Sequence, residues 1–451
     1  MRTTTPTTKA RELVGELMAR AHWSTGRLAA HQRERLDALL CHAVASSPFH
    51  RRRLGPDPAG AALAELPTMS KADLMAHFDE IVADPRLGHD IVREHLASPA
   101  GDQPLHGHLV FSTSGSTGEP GIFVTTPEDF APWAAALMRA MTIFGVTPDM
   151  RIAGLGAGSG RHISRHLVAG LVAGRPATAP RTSVALPVPD IVAAFNAYQP
   201  EAIPGYPSLI ALVAQEQLAG RLRIAPRIVV CTGEVLTPDM RAQIGRAWGV
   251  EPFVMYSTTE AGMIASSCPA RVGMHLWEDL ALVEVVDAAN RPVPPGVPGE
   301  RVLLTNLVNR TQPLIRYEIT DLVTLADDPN PTGMPFRRNT AIEGRSDDTA
   351  HLPARDGGTV AVPPHRLRTP VATTPGLRQF QVAVSPAAVR VTVALGAEAP
   401  PDTPHRIQAA MHCALLDAGV APPPTTVTVV DAIPREPGHA AKFKTVKVEA
   451  T

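Results

Sequence analysis

Hydroxyl groups and glycines are concentrated in one short stretch, TSGSTGEPG at residues 113–121, which lies between two apolar runs rich in β-branched residues. Glycines allow backbone N–H groups to converge on phosphate oxygens, and hydroxyls add donors. The stretch contains no lysine, lacks the G-x-x-x-x-G-K-[ST] spacing and is followed by the strand-like run IFVTT, so it differs from the loop of P-loop hydrolases. We predict a loop that holds a polyphosphate; an ordinary Ser/Gly hairpin turn is the alternative.

Further polar motifs follow downstream, and most of them carry a carboxylate. They are CTGE at 231–234, YSTTEAG at 256–262, LIRYEITDL at 314–322, EGRSDD at 343–348 and KFK at 442–444. This set, in this order, resembles the adenylate-forming superfamily of acyl-CoA synthetases and peptide-synthetase adenylation domains. It is most similar to the phenylacetate-CoA ligase branch, in which S-G-[ST]-T-G is followed by G-Y-P-S (here 205–208), Y-x-x-[ST]-E, R-Y-x-x-x-D and G-R-S-D-D. The resemblance runs from about residue 111 to the C-terminus.

The resemblance implies a two-step reaction. A carboxylate attacks the α-phosphorus of ATP, releases pyrophosphate and forms an acyl-adenylate, and the acyl group then passes to an acceptor, by default CoA. The residues implied in nucleotide binding are Thr113, Ser114, Gly115, Ser116, Thr117, Gly118, Gly233, Glu234, Tyr256, Ser257, Thr258, Thr259, Asp321 and Arg345.

Individual roles within this set follow from side-chain chemistry. Asp321 would accept both ribose hydroxyls, because a carboxylate only accepts and has two oxygens. Glu260 is expected to hold Mg²⁺, a cation that prefers carboxylate and phosphate oxygens. Glu234 and Tyr256 would lie near the adenine. The alternatives are a solvated loop carboxylate for Glu260 and a turn-initiating residue for Asp321.

Lysine usage points to the end of the chain. Of the 42 lysines and arginines only five are lysines, and three of these lie in the last ten residues. A compact ammonium suits contact with a carboxylate and a phosphate during transfer. Lys442 is the candidate catalytic residue, with Lys444 in reserve; a solvated basic tail is the alternative. The resemblance also places a hinge at 345–348, where Asp347 would absorb the backbone change between two states.

The acid-binding and metal-binding residues are less clearly marked. His162, Tyr206 and Gly262 are candidates for the acid pocket. Cys231, Cys268 and His275 are a possible zinc set, but a closed zinc site needs a fourth ligand, and free buried thiols are the alternative.

Hydrophobic periodicity indicates the elements that position these motifs. Residues 10–96 have a mostly helical pattern, with a new helix start at Ser70. After a helix that begins at Pro127, the apolar runs RIAGLG, PRIVVCTG and EPFVMYS alternate with helical runs, which is typical of a layered α/β domain. Residues 280–325 predict a barrel-like β subdomain. From about residue 346 a small α+β unit is expected, and it begins with a hairpin that turns at 356–358.

The predicted fold class is therefore α/β, with two domains. A large multi-subdomain adenylation domain would span residues 1–344 and bind ATP and the acid. A small mobile α+β domain would span residues 345–451 and carry the catalytic lysine.

Composition restricts the partners. The net charge of −1 does not favour nucleic-acid binding, and the longest apolar run, at 167–174, is too short to cross a bilayer. We expect a cytoplasmic monomer or homodimer that uses ATP, Mg²⁺, a small-molecule acid of aryl or arylacetic type and an acceptor. Because the segment after the hinge departs from the CoA-ligase pattern, an amide synthetase or a nitrite-activating diazotase is the alternative. A binding protein that has lost catalysis is a second alternative, although Glu260, Asp321 and Lys442 are all present.

Overall fold

The computed structural model describes residues 6–113, 120–172, 179–180, 182–372, 374–396, 399–434 and 443–449. The first part of the chain is helical, as predicted. Its helices are α1 (Pro6–Arg20), α2 (Thr25–Ser46), α3 (Pro48–Leu54), α4 (Lys71–Ala76), α5 (Phe78–Ile81) and α6 (His89–Ala97). Ser70, the predicted start, is the N-cap of α4 and forms a reciprocal capping box with Asp73.

The helices α2 and α3 pack against the segment that carries the LIRYEITDL motif. His42 Nε2 donates to the carbonyl of Arg310 at 2.8 Å, and His50 Nε2 donates to that of Pro313 at 3.0 Å. Burial lowers the pKa of His50 to about 4, so the ring is neutral at physiological pH.

A seven-stranded sheet, counted over the described residues, forms the centre of the large part of the chain. Its strand order is β11-β12-β7-β6-β5-β4-β3, and β3, β4 and β5 are parallel neighbours. The strands are β3 (Ala202–Gly205), β4 (Ile228–Thr232), β5 (Phe253–Thr258), β6 (Gly262–Ser267), β7 (Met274–Leu276), β11 (Asp321–Leu325) and β12 (Arg338–Arg345). The helices that pack around this sheet are α7 (Pro127–Ile143), α8 (Ile163–Val172), α9 (Val188–Tyr198), α10 (Pro207–Leu218) and α11 (Pro238–Trp248).

The predicted run RIAGLG lies beside β3 but is not a continuous strand. It forms isolated parallel bridges, Ile152 with Ala202 and Leu155 with Gly205, and the N–H groups of Ala153 and Leu155 donate to carbonyls of β3. The glycines in and after the run weaken an extended strand. The backbones of this run and of β3 also lie very close together: a Cβ at Gly205 would lie 2.3 Å from the carbonyl oxygen of Leu155.

Two smaller sheets flank the central one. The strands β1 (Leu109–Ser112) and β2 (Ile122–Thr125) form an antiparallel hairpin. The strands β8 (Ala281–Val286), β9 (Arg301–Asn306) and β10 (Tyr317–Ile319) form a three-stranded antiparallel sheet in the segment predicted to be β-rich. The loop between β8 and β9 contacts the central sheet, because the N–H of Gly299 donates to the carbonyl of Val323 in β11.

The C-terminal part has its own hydrophobic core, formed by residues between Ala350 and Val446. The predicted hairpin is present as β13 (Ala350–Pro353) and β14 (Thr359–Val362). The predicted α+β pattern is also present, as α12 (Pro364–Ala372), β15 (Leu377–Ser385), β16 (Ala388–Leu395), α13 (Thr403–Asp417), β17 (Thr425–Val429) and β18 (Val446–Val448). The last four of these strands form one sheet in the order β17-β16-β15-β18.

Candidate active site

The β1–β2 hairpin carries the predicted phosphate loop. Beyond the Ser112–Ile122 pair, the N–H of Thr113 donates to the carbonyl of Gly121 at 2.9 Å, and Thr113 Oγ1 accepts from the N–H of Gly121 at 2.8 Å. Thr113 therefore closes the neck of the loop. The predicted phosphate-binding residues Ser114, Gly115, Ser116, Thr117 and Gly118 lie outside the described residues.

The open edge of β2 is bonded to two buried side-chain amides. Gln312 accepts from the N–H of Val124 at 3.1 Å and donates to the carbonyl of Ile122 at 3.2 Å, as a neighbouring strand would. Asn309 donates to the carbonyl of Val124 at 2.9 Å. These bonds fix the strand that leaves the phosphate loop.

The same segment is bonded to the YSTTEAG motif. Asn306 Nδ2 donates to the carbonyl of Glu260 at 2.9 Å, while its Oδ1 accepts from the N–H groups of Val308 and Asn309. The amide ladder, which we define as Asn306, Asn309 and Gln312, thus joins the phosphate-loop strand to the backbone of Glu260. These residues belong to none of the motifs identified in the sequence; their only signal is the spacing N-x-x-N-x-x-Q at 306–312.

Glu260 lies in the tight turn that joins β5 to β6. Thr258 is paired with Gly262, Thr259 and Ala261 complete the turn, and the N–H of Ala261 donates to Thr258 Oγ1 at 3.3 Å. Gly262 has a φ of +66°, and a Cβ there would lie 2.5 Å from Cγ of the buried Trp133. Only glycine fits this position without moving the helix that carries the indole.

Tyr256, Asp321 and Arg345 form the polar centre of the candidate site. Tyr256 Oη donates to Asp321 Oδ2 at 2.6 Å, and Arg345 Nε donates to Asp321 Oδ1 at 3.1 Å. Asp321 is the first residue of β11 and is paired with Arg345, the last residue of β12. A register shift between Tyr256 and Ser257 lets Tyr256 face inward with its neighbour Met255.

The electrostatics of this centre follow from burial and from the charges near it. Burial, reinforced by the Asp321 carboxylate, raises the pKa of Tyr256 well above its ordinary value, so the phenol remains a donor. The Asp321 charge raises the pKa of Arg345. Burial also raises the pKa of Glu260, with the nearby Asp321 charge adding to it and the Arg345 charge opposing it.

A cation beside Glu260 would favour its ionised form. The residues fit a magnesium ion that is bound mainly by nucleotide phosphates and takes one protein carboxylate. Among the described residues, no group of three histidines, cysteines or acidic residues is arranged to hold a metal by itself.

The residues after β4 connect the large part of the chain to the C-terminal segment. Gly233 has a φ of +79°, and Glu234 accepts from the N–H of Ser208 at 3.2 Å and from the N–H of Phe443 at 2.7 Å. The hydroxyls of Thr232 and Ser257 lie 3.2 Å apart and link the ends of β4 and β5. The CTGE and YSTTEAG motifs are thus adjacent.

The hinge and lysine candidates are only partly described. Ser346, Asp347 and Asp348 form a single 3₁₀ turn after β12. Lys444 Nζ pairs with Asp348 Oδ1 at 2.9 Å. Lys442 lies outside the described residues.

The structure describes all three acid-pocket candidates, and Gly262 lies against Trp133 as noted above. Tyr206 is only 2% exposed and packs in the core that contains Ile203 and Leu209, with its N–H on the carbonyl of Leu155. His162 is half-buried, and its N–H donates to the carbonyl of Ser159.

The possible zinc set does not assemble. Cys231 and Cys268 are free, buried thiols, and burial raises the pKa of Cys231. His275 Nε2 lies 3.0 Å from Thr332 Oγ1 and 3.3 Å from Asn330 Oδ1, so this ring nitrogen already has hydrogen-bond partners.

Comparison with known proteins decides the family. A family model described as AMP-binding enzyme matches residues 29–308. The chain belongs to this family. This AMP-binding enzyme is 28% identical over 343 residues to a phenylacetate-coenzyme A ligase of Thermus thermophilus, and the alignment covers 71% of each chain. It is also 28% identical over 349 residues to the phenylacetate-coenzyme A ligase of Escherichia coli, with 72% of each chain covered.

Solved structures of 2-hydroxyisobutyryl-CoA ligase share the fold of this AMP-binding enzyme. One, in the postadenylation state with R3-HIB-AMP, aligns with a TM-score of 0.76 and 21% identity over 96% of this chain and 91% of that chain. Another, with 2-HIB-AMP and CoA in the thioesterification state, aligns with a TM-score of 0.61 and 21% identity over 95% and 91%. The predicted fold class and the predicted resemblance to the phenylacetate-CoA ligase branch are confirmed. The chain is an adenylate-forming ligase that is similar to this branch. Among the described residues, no helix is long and apolar enough to cross a membrane.

Proposed function

We propose that this enzyme adenylates a small carboxylic acid of aryl or arylacetic type and transfers the acyl group to CoA. In the first step a carboxylate oxygen bonds to the α-phosphorus of ATP and the bond to the β-phosphate breaks, which gives acyl-AMP and pyrophosphate. In the second step the CoA thiolate bonds to the acyl carbon, and AMP leaves with the oxygen that it received from the acid.

The observation that carries this proposal is the Tyr256–Asp321–Arg345 constellation, which lies next to the half-buried Glu260. Tyr256 and Arg345 each take one acceptor site of the Asp321 carboxylate and hold it in one orientation. A carboxylate oxygen has a second acceptor site, so each oxygen can still receive one ribose hydroxyl. Asp321 then binds the ribose, and Tyr256 and Arg345 orient it.

The other roles follow from neighbouring elements. The loop closed by Thr113 binds the β- and γ-phosphates, and the amide ladder sets its position relative to Glu260. Glu260 holds Mg²⁺, which when bound would neutralise phosphate charge as pyrophosphate leaves. We assign residues 1–344 to the nucleotide- and acid-binding domain, 345–451 to the mobile domain, the hinge to Asp347 and the charge that stabilises the transition state to Lys442.

Support for a closed, adenylation-type arrangement comes from two observations. Phe443 in the C-terminal segment contacts Glu234 of the large part. The relative in its postadenylation state also aligns with a higher TM-score than the same relative in its thioesterification state.

A second candidate concerns only the acceptor. The hairpin β13–β14 directly follows the hinge, where the sequence departs from the CoA-ligase pattern. This departure favours an amine or another small nucleophile in place of the CoA thiol, with the first step unchanged.

The test is mass spectrometry of products formed from ATP, Mg²⁺ and a panel of aryl, arylacetic and aliphatic acids, with CoA, with amines or with neither. We expect AMP, pyrophosphate and an acyl-CoA for at least one aryl acid, and no product with Lys442→Ala. AMP with an amide and no thioester would replace CoA by the second candidate. Release of ADP, or no acid-dependent AMP with any acid, would contradict adenylation.

A further inference from the structure

Glu234 contacts two segments that are far apart in the sequence. One carboxylate oxygen accepts from the N–H of Ser208, at the start of α10, at 3.2 Å. The other accepts from the N–H of Phe443, 209 residues away, at 2.7 Å. The second distance is typical of a strong hydrogen bond to a charged acceptor.

The Phe443 N–H belongs to the peptide group that joins this residue to Lys442. A bond that fixes this N–H therefore fixes the chain next to the candidate catalytic lysine. The following residue is also held: Lys444 Nζ pairs with Asp348 in the hinge turn, and the Lys444 carbonyl accepts from Gln381 of β15 at 2.9 Å. The segment is thus attached on one side to the large part of the chain and on the other side to the hinge turn and the C-terminal sheet.

A rotation of the C-terminal domain about the hinge would affect these contacts of Phe443 and Lys444 differently. Gln381, Asp348 and Lys444 all lie after the predicted hinge residue Asp347, so a rotation at that residue leaves their mutual contacts intact. Glu234 lies in the large domain, so the same rotation must break its bond to Phe443. The bond from Phe443 to Glu234 therefore depends on the domain arrangement, whereas the contacts of Lys444 with Asp348 and Gln381 do not.

We propose that Glu234 is a positioning residue that holds Phe443, the residue that follows Lys442 in the sequence, against the large domain during adenylation and releases it for the transfer step. The proposal rests on the proposed function. It assigns Glu234 a role other than adenine binding, because its two oxygens bond backbone groups of separate segments. Loss of the bond should slow adenylation, which needs the closed arrangement, and leave transfer from preformed acyl-AMP unchanged.

The test uses Glu234→Gln, which has one amide oxygen in place of two carboxylate oxygens and can serve only one of the two N–H donors in this geometry. The matched control is Glu251→Gln, which alters an exposed carboxylate paired with Arg241. The two half-reactions are measured separately in the full-length enzyme: acyl-AMP formation from ATP and acid, and acyl-CoA formation from synthetic acyl-AMP and CoA.

We expect kcat of adenylation to fall about ten- to hundredfold in Glu234→Gln, because this factor corresponds to the loss of one hydrogen bond to a charged group. KM for ATP and the transfer rate should be unchanged. A rise in KM for ATP with kcat unchanged would mean that Glu234 acts on the nucleotide alone and would overturn the proposal. An equal fall in both half-reactions would also overturn it.

A conformational measurement separates this proposal from the proposed function. Cys41 on α2 and Cys413 on α13 are exposed, whereas Cys231 and Cys268 are buried, so spin labels can be attached to one site in each predicted domain of the native sequence. The label-to-label distance distribution should broaden in Glu234→Gln and not in Glu251→Gln; coinciding distributions would overturn the contact. If the wild type adenylates no acid, the proposed function and the catalytic part of this inference fail, while a Glu234-dependent distance still supports the contact.

Discussion

Removing the Tyr256 hydroxyl is the sharpest single perturbation of the polar centre. Tyr256→Phe deletes one oxygen and leaves the ring in place. The hydroxyl lies 2.6 Å from Asp321 Oδ2, and both side chains are buried, so water does not readily replace the lost donor. Asp321 would then retain only its bond from Arg345.

The magnitude follows from the charge of the acceptor. A hydrogen bond to an ionised group contributes about 1.5–3 kcal/mol to stability, compared with about 1 kcal/mol for a neutral pair. We therefore expect the free energy of unfolding to fall by about 1.5–3 kcal/mol without nucleotide. Because the carboxylate that would bind the ribose is then less well oriented, KM for ATP should rise about three- to tenfold.

The assay is urea denaturation followed by tryptophan fluorescence, since all four tryptophans precede residue 280 and report on the large part of the chain. The control is Thr25→Val, which removes an exposed hydroxyl at the start of α2. This control should change stability by no more than about 0.5 kcal/mol. A Tyr256→Phe variant that is as stable as the control, with an unchanged KM for ATP, would refute the role assigned to this bond.

The remaining predictions concern residues around the site. Gly262→Ala should lower the free energy of unfolding by at least about 2 kcal/mol more than Gly249→Ala, because the two glycines have similar φ angles (+66° and +69°) but only the first would place a Cβ against an indole; equal losses in urea denaturation would contradict this packing. Gln312→Leu should destabilise by about 2–4 kcal/mol, because it leaves two backbone groups of β2 without partners, whereas the exposed Gln103→Leu should be near neutral; a small loss would show that β2 does not need the ladder. Because the unfolded chain protonates His50 near pH 6.5 and the folded protein only near 4, stability should fall by about 3 kcal/mol as the pH drops through this window. His50→Gln should show a shallower pH dependence, and identical slopes in urea titrations would exclude His50 as the cause.

The sequence indicated most of the elements and the motifs, because these depend on local patterns. The helix start at Ser70, the β13–β14 hairpin and the α+β order of the C-terminal part all follow from caps, turn residues and periodicity. The run RIAGLG pairs with β3 only through isolated bridges, because the glycines among its apolar residues weaken a continuous strand.

The contacts that define the site could not be predicted in the same way. The Tyr256–Asp321 bond joins residues 65 apart, and the Glu234–Phe443 bond joins residues 209 apart. Neither pair has a local signal that identifies its partner. The amide ladder was missed for a related reason, since side-chain amides within an apolar segment do not indicate that they bond a distant strand edge.

Oxygen transfer from the acid to AMP tests the central claim most directly. The enzyme is incubated with ATP, Mg²⁺, its acceptor (CoA or the accepted amine) and an acid that it accepts, labelled with ¹⁸O at both carboxyl oxygens, and the AMP is analysed by mass spectrometry. Attack of the carboxylate on the α-phosphorus predicts one ¹⁸O in each AMP, whichever acceptor takes the acyl group. Unlabelled AMP formed together with labelled acid and product would show that no acyl-adenylate lies on the path and would contradict the account.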